Sequence, residues 1–208
     1  MKYAPALILG AGLIYLIEYT DAVTAPINDP VGFLNDQTNG MDQMTQENNL
    51  QAFLLAIRRF ESSTDESSYR RIVTGKDGKA KYFSSFADHP RIAVQLPSGL
   101  YSTAAGAYQF LAISKTPNGY TKMNTWDRLK AKLSLPDFSP ASQDAAAIDL
   151  LKERGAYYDV LNGNFDSAIE KAGKEWQSIP GSSLAQKSLV SYNKWRDAFE
   201  SFGGTVNV

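Results

Sequence analysis

Residues 50 to 83 read LQAFLLAIRRFESSTDESSYRRIVTGKDGKAKYF, and the two halves of this stretch carry different periodicities. In the first half Leu50, Phe53, Leu54, Ile57 and Phe60 recur at the spacing of one helix face. Thr45 reads as the N-cap and Glu47 stands in the first turn. This helix delivers Glu61 at its C-terminal end. In the second half, residues 69–74 and 80–83 flank GKDGK, whose Asp77-Gly78 pair is a strong hairpin signal. A small sheet therefore follows the first helix.

Downstream, the pattern after Pro97 turns helical again. Ser139-Pro140 opens a run with Ala141, Ala145, Ile148 and Leu151 on one face, ending at Gly155. Asn164 opens another helix through Ile169 and Trp176. Leu184, Tyr192, Trp195, Phe199 and Phe202 mark a last one, stopped by Gly203-Gly204. Helix, small sheet, several helices is the order of an α+β domain, mainly helical with a small antiparallel sheet. No internal repeat is visible, and the domain is expected to occupy residues 46–208.

Ahead of it, residues 1–25 form a hydrophobic segment and residues 26–45, with Pro26, Pro30 and Gly40, read as a linker. The uncharged run from Tyr3 to Ile17 is shorter than the ~20 residues of a comfortable membrane-spanning helix. Lys2 before it and Glu18 and Asp21 after it favour an N-terminus in the cytoplasm with the rest outside. Three readings stay open. A retained membrane or packing segment is favoured, which Gly10 and Gly12 suit. The others are a signal cleaved after Val23-Thr24-Ala25 and a buried core helix.

Composition narrows the chemistry. Lys and Arg total 21 against 22 for Asp and Glu, a net charge of -1, so no field gathers nucleic acid. The absence of cysteine removes thiol nucleophiles, disulfides and thiolate metal sites, and one histidine, His89, makes a zinc site or a histidine-based hydrolase improbable. No metal or cofactor is expected. Carboxylate chemistry remains.

Glycoside cleavage needs a proton donor, and a glutamate at the seam of an apolar helix and a sheet can be kept protonated by desolvation. Glu61 is such a candidate; the alternative is a solvated helix-end acid paired with Arg58. Asp65 and Glu66, in the Ser-rich surround SSTDESS, read as surface groups. The second informative stretch is LYSTAAGAYQFLAI, residues 100–113. Its small residues from Ser102 to Ala107 allow close approach of a ligand, Tyr108 offers a stacking face, and Gln109 offers donors and acceptors for sugar groups. The competing reading is a helix start with Ser102 as cap and Tyr108 and Phe110 in the core. His89 reads as structural, and Trp176 and Trp195 as core.

These residues also carry a resemblance. FADHPR (86–91), STAAGAYQFL (102–111), DFSPASQDAAA (137–147), KERGA (152–156), SIPG (178–181) and GGTV (203–206) are, in order and spacing, similar to lambda-type phage endolysins, from about Asn49 to Val206. The resemblance implies a lysozyme-like fold and a lytic transglycosylase acting on peptidoglycan. It implies that the catalytic glutamate, at the end of the first domain helix, is Glu61. Tyr69, Ser102, Tyr108 and Gln109 are then the candidate sugar-binding residues. Two positions depart from the family pattern: Ser62 replaces a glycine, and Arg70 replaces an aspartate after Tyr69. Another phage lysozyme class spaces Glu, eight residues, Asp, five residues, Thr. From Glu61 that spacing lands on Arg70 and Lys76, so that class is disfavoured.

In the implied mechanism a single acid protonates the β-1,4 bond between N-acetylmuramic acid and N-acetylglucosamine, then receives the muramyl C6 hydroxyl proton, leaving a 1,6-anhydromuramyl end. The alternatives are a muramidase hydrolysing the same bond and a wall-binding module without catalysis. Expected partners are glycan strands, a membrane through residues 1–25, and other virion proteins if the chain serves entry instead of lysis. The expected location is periplasm-facing, membrane-associated or exported.

Overall fold

A computed structural model describes residues 43–182 and 190–207. The expected N-terminal segment and nearly all of the linker lie outside the described residues. Among the described residues no helix is long and apolar enough to cross a membrane.

Helix α1 (Gln43–Glu61) buries Ala52, Phe53, Leu54, Ala56 and Ile57, the face anticipated from its periodicity, and adds Asn49 and Arg58. It packs against α4 (Tyr157–Leu161) and α6 (Tyr192–Ser201). Phe53 meets Trp195 at 5.2 Å and Phe199 at 6.1 Å between ring centroids, and Phe60 meets Trp195 at 5.6 Å. After α1 comes a short 3-10 helix, Glu66–Arg70, with Asp65 as its cap. The expected hairpin is present as β1 (Arg71–Ile72) antiparallel to β2 (Lys81–Tyr82), turning through Gly78 at φ +67°.

The region after Pro97 is not helical. It holds two more hairpins, β3 (Val94–Gln95) with β4 (Tyr101–Ser102), and β5 (Lys115–Thr116) with β6 (Gly119–Tyr120). Between them Ala105 and Phe110 exchange backbone hydrogen bonds at 3.0 and 2.9 Å, closing a tight loop that contains Gly106 at φ +81° and Gln109 at φ +52°. Such backbone cannot start a helix. A Cβ on Gly106 would lie 2.2 Å from Gln143 Oε1, so this position needs glycine for space as well as conformation. Ser102 is thus a strand residue and not a helix cap, although Tyr108 and Phe110 are core as the competing reading had them.

Helices α2 (Thr125–Leu133), α3 (Pro140–Glu153) and α5 (Phe165–Ala172) complete the domain. The α3 cap is Ser139 and its end is Gly155 at φ +70°, as the sequence indicates. Its buried face is rotated from the expected one: Ser142, Gln143, Ala146, Ala147, Leu150 and Leu151 face inward, while Ala141 is exposed. The cause is Gln143, which is fully buried because its amide satisfies three backbone groups. It donates to the carbonyls of Tyr69 (3.0 Å) and Phe138 (2.8 Å) and accepts from Ala107 N–H (2.9 Å). Trp176 follows α5 instead of belonging to it. At the other end Thr205 N–H donates to Asn49 Oδ1, and Asn207 donates from its backbone to Gly163 and from its side chain to Asn162.

Candidate active site

Glu61 is the last residue of α1, placed there by an apolar face that holds the helix down to Phe60. Its carboxyl is shielded from solvent, and burial raises its pKa above the ordinary carboxylate range; the Ser178 hydroxyl and N–H oppose this. The N–H of Ser178 donates to Glu61 Oε1 at 3.3 Å. Arg58, one turn earlier, does not pair with it. Its guanidinium donates to Tyr69 Oη (3.1 Å), Ser68 Oγ (3.0 Å) and the carbonyls of Thr64 (3.1 Å) and Asp65 (3.2 Å). Arg58 thereby fastens the loop after α1, and the reading of Glu61 as a solvated, arginine-paired acid fails.

Asp65 and Glu66 are exposed, as expected. Asp65 accepts from Ser67 N–H at 2.8 Å, and the Ser67 hydroxyl together with this N–H holds its carboxyl below the ordinary range. Ser62, the first family departure, donates its hydroxyl to Ala107 O at 3.1 Å and so ties the end of α1 to the Gly106 loop. Arg70, the second, lies 3.9 Å over the Phe86 ring and donates to Ser84 O at 2.5 Å.

Two of the candidate sugar-binding residues are not available as platforms. Tyr69 is 5% and Tyr108 2% exposed, so neither ring has a free face. Both hydroxyls donate to Asp144, Tyr108 at 2.6 Å and Tyr69 at 2.8 and 3.0 Å to its two oxygens. Burial raises the Asp144 pKa, against the pull of the two hydroxyls and Arg58. The tyrosines therefore hold the wall of the site. Ser102 and Gln109 are half-buried, and each serves its own loop: Ser102 Oγ accepts from Ala104 N–H and Gln109 Nε2 donates to Gly106 O. Neither hydrogen-bonds Glu61 among the described residues.

Three groups in this wall were not singled out from sequence: Asp144, Gln143 and Ser178. The available signal for the first two was a Gln-Asp pair inside the alanine-rich PASQDAAA helix, where a packed face has no use for polar residues without partners. The structural assignments hold elsewhere. His89 is 3% exposed, donates from Nε2 to Phe110 O at 2.9 Å and accepts Arg91 N–H at Nδ1, and burial lowers its pKa to about 4. Trp176 and Trp195 are buried. No group of three or more His, Asp or Glu is placed to hold a metal among the described residues.

Comparison with known proteins agrees with this fold. Residues 51–206 match the Endolysin family. The endolysin of Escherichia phage P2 is 35% identical over 158 residues, covering 71% of this chain and 88% of that protein. The endolysin of Escherichia phage lambda is 33% identical over 170 residues, covering 78% and 97%. Among solved structures, bacteriophage lambda lysozyme complexed with a chitohexasaccharide superposes with a TM-score of 0.62 at 31% identity, covering 80% of this chain and all of that one. A second structure of lysozyme from bacteriophage lambda gives 0.60 at 32% identity, covering 77% and 97%. A family match that runs from within α1 to the C-terminal tail, on a lambda lysozyme-like fold, means that this chain belongs to the endolysin family.

Proposed function

We propose that this protein is a peptidoglycan lytic transglycosylase with Glu61 as its general acid and base. The observation that carries the reading is a carboxyl held towards its protonated form by burial while the other shielded carboxyl described here, Asp144, is bound by two tyrosines. Double-displacement or water-activating glycosidases use two free carboxyls. A transglycosylase needs one. Protonated Glu61 gives its proton to the β-1,4 glycosidic oxygen as the bond to C1 breaks. As carboxylate it then takes the proton of the muramyl C6 hydroxyl, whose oxygen bonds to C1 and closes the 1,6-anhydro ring. No water enters. The complex of lambda lysozyme with a chitohexasaccharide supports a glycan chain as the substrate class.

The test is digestion of purified peptidoglycan by the protein and by Glu61→Gln, with the muropeptide ends identified by mass spectrometry. Anhydro ends from the unsubstituted protein alone are expected. Reducing ends would make it a muramidase, and cleavage by neither would make it a wall-binding module. Such a substrate places the domain outside the cytoplasm, for host lysis or for wall penetration at entry. Residues 1–25 would deliver or anchor it, and a reporter fused after Gly40 is expected outside the cytoplasm.

A further inference from the structure

Glu61 has to change charge twice in each cycle, and the second state is a carboxylate in a shielded site. Something must receive that charge. Among the described residues, the charged groups of the surrounding elements are paired elsewhere or exposed. On α1, Arg58 is spent on Tyr69 and the 64–68 loop, and Arg59 lies over Phe60 and Phe202. Asp144 of α3 is bound by its tyrosines, Asp65 and Glu66 are exposed, and Glu175, ahead of Ser178, is paired with Arg154. On α6, Arg196 pairs with Glu200.

What faces Glu61 is Ser178. Its carbonyl is pinned by the indole N–H of Trp195 at 3.0 Å, and Trp195 is fully buried against Phe53 and Phe60 of α1. The helix that carries Glu61 and the peptide that faces it therefore share one anchor. That anchor aims the Ser178 N–H at Glu61 Oε1. Ser178 is only 6% exposed, and among the described residues its hydroxyl meets no partner in full hydrogen-bond geometry, although it lies close enough to Glu61 to pull the pKa of that carboxyl down. A buried hydroxyl without a full hydrogen bond costs stability, and proteins keep such groups where function uses them.

We infer that Ser178 is the positioning residue for Glu61, its N–H and hydroxyl forming a two-donor cradle that receives the carboxylate between the two proton transfers. This rests on the proposed acid-base role of Glu61. One rotation of the side chain lets the hydroxyl join the N–H on the carboxyl. When the proton leaves for the glycosidic oxygen, both donors face a full negative charge. When the C6 hydroxyl proton arrives, the hydroxyl is released.

The test uses the full chain and its Ser178→Ala variant, with Ser178→Cys, near in size but a weak donor, as a second. The Glu61 carboxyl is titrated by carbon-13 NMR, assigned by its loss in Glu61→Gln, and peptidoglycan cleavage is followed against pH. Removing the hydroxyl destabilises only the ionised form. The titration midpoint is therefore expected to rise in Ser178→Ala, with Ser178→Cys between. Turnover at pH values below the alkaline limb falls roughly tenfold, the worth of one hydrogen bond to a charged group. The alkaline limb itself moves to higher pH, because Glu61 stays protonated longer. The melting temperature does not fall. A wild-type midpoint in the variants, or a uniform loss of activity with the limb in place, would overturn the inference. Wall cleavage that survives Glu61→Gln would instead overturn the role of Glu61, while the NMR titration still reports on the cradle.

Discussion

At the scale of single residues, the site trades stability for chemistry. The Glu61 pKa is raised in the fold, so its contribution is fully favourable below the unfolded carboxylate range of ~4.3 and is lost as pH rises through the folded value. Above that range the buried carboxyl is a net cost to the fold. Glu61→Gln is therefore expected to abolish wall cleavage, by roughly 10²–10⁴-fold, while stabilising the fold by about 1 kcal/mol. For a chain of this size that is about 2–4 °C in melting temperature, readable by calorimetry. The opposite sign is expected at Asp144. Asp144→Ala leaves two tyrosine hydroxyls without their acceptor and removes the carboxylate charge that Arg58 senses, and should cost about 3–5 kcal/mol in denaturant unfolding. Glu61 was legible as a candidate because an apolar helix face ends at an acid, but that local signal left a solvated acid open, and the resemblance to lambda-type endolysins chose between the two. Ser178 and Asp144 were not. Their contacts close over 117 residues from Glu61 and over 75 and 36 from the two tyrosines, and no periodicity encodes such distances.

At the scale of elements, three pieces must meet correctly: the end of α1, the Gly106 loop and the segment around Ser178. Gln143 of α3 joins the loop to the sheet side, and Trp195 of α6 joins Ser178 to α1. Gln143→Leu keeps the helix and its volume but leaves three backbone groups unpaired. A loss of about 3 kcal/mol in urea unfolding is expected. Trp195→Phe keeps an aromatic ring but strands the Ser178 carbonyl, for about 1–3 kcal/mol, and frees the peptide that faces Glu61. Its turnover should fall further than its stability accounts for at temperatures where it is fully folded. The elements that were legible are those with enough length to repeat a signal, namely α1, α3, α5 and α6, together with the Asp77-Gly78 turn. Residues 97–124 misled because their strands are two residues long, too short to show alternation, while small and apolar residues crowd at spacings that imitate a helix. The face of α3 misled because its inward position 143 is polar, and pattern reading assigns polar residues to solvent.

At the scale of the whole molecule, acid should act in stages. His89 is neutral in the fold, with a pKa lowered by burial to about 4 from its ordinary 6.5. Unfolded chains bind its proton first, so stability is lost as pH falls below about 6.5 and the loss levels off near 4, reaching about 3 kcal/mol. Asp88 and Asp127, held below the ordinary carboxylate range by Arg91 and Lys130 among others, add their losses at lower pH still. Urea midpoints measured from pH 7 to pH 4 should decline in wild type. In His89→Gln they should start lower and stay nearly flat over that window. Thr205 is held by Asn49 near the start of α1, and Asn207 by the turn between α4 and α5, so the two ends of the domain are buttoned to each other through side-chain amides. Trimming the final four residues would unbutton the first helix at its far end, a long way along the chain from the cut. Cargo fused to this endolysin's C-terminus has to be spliced on beyond Asn207 to leave that clasp closed.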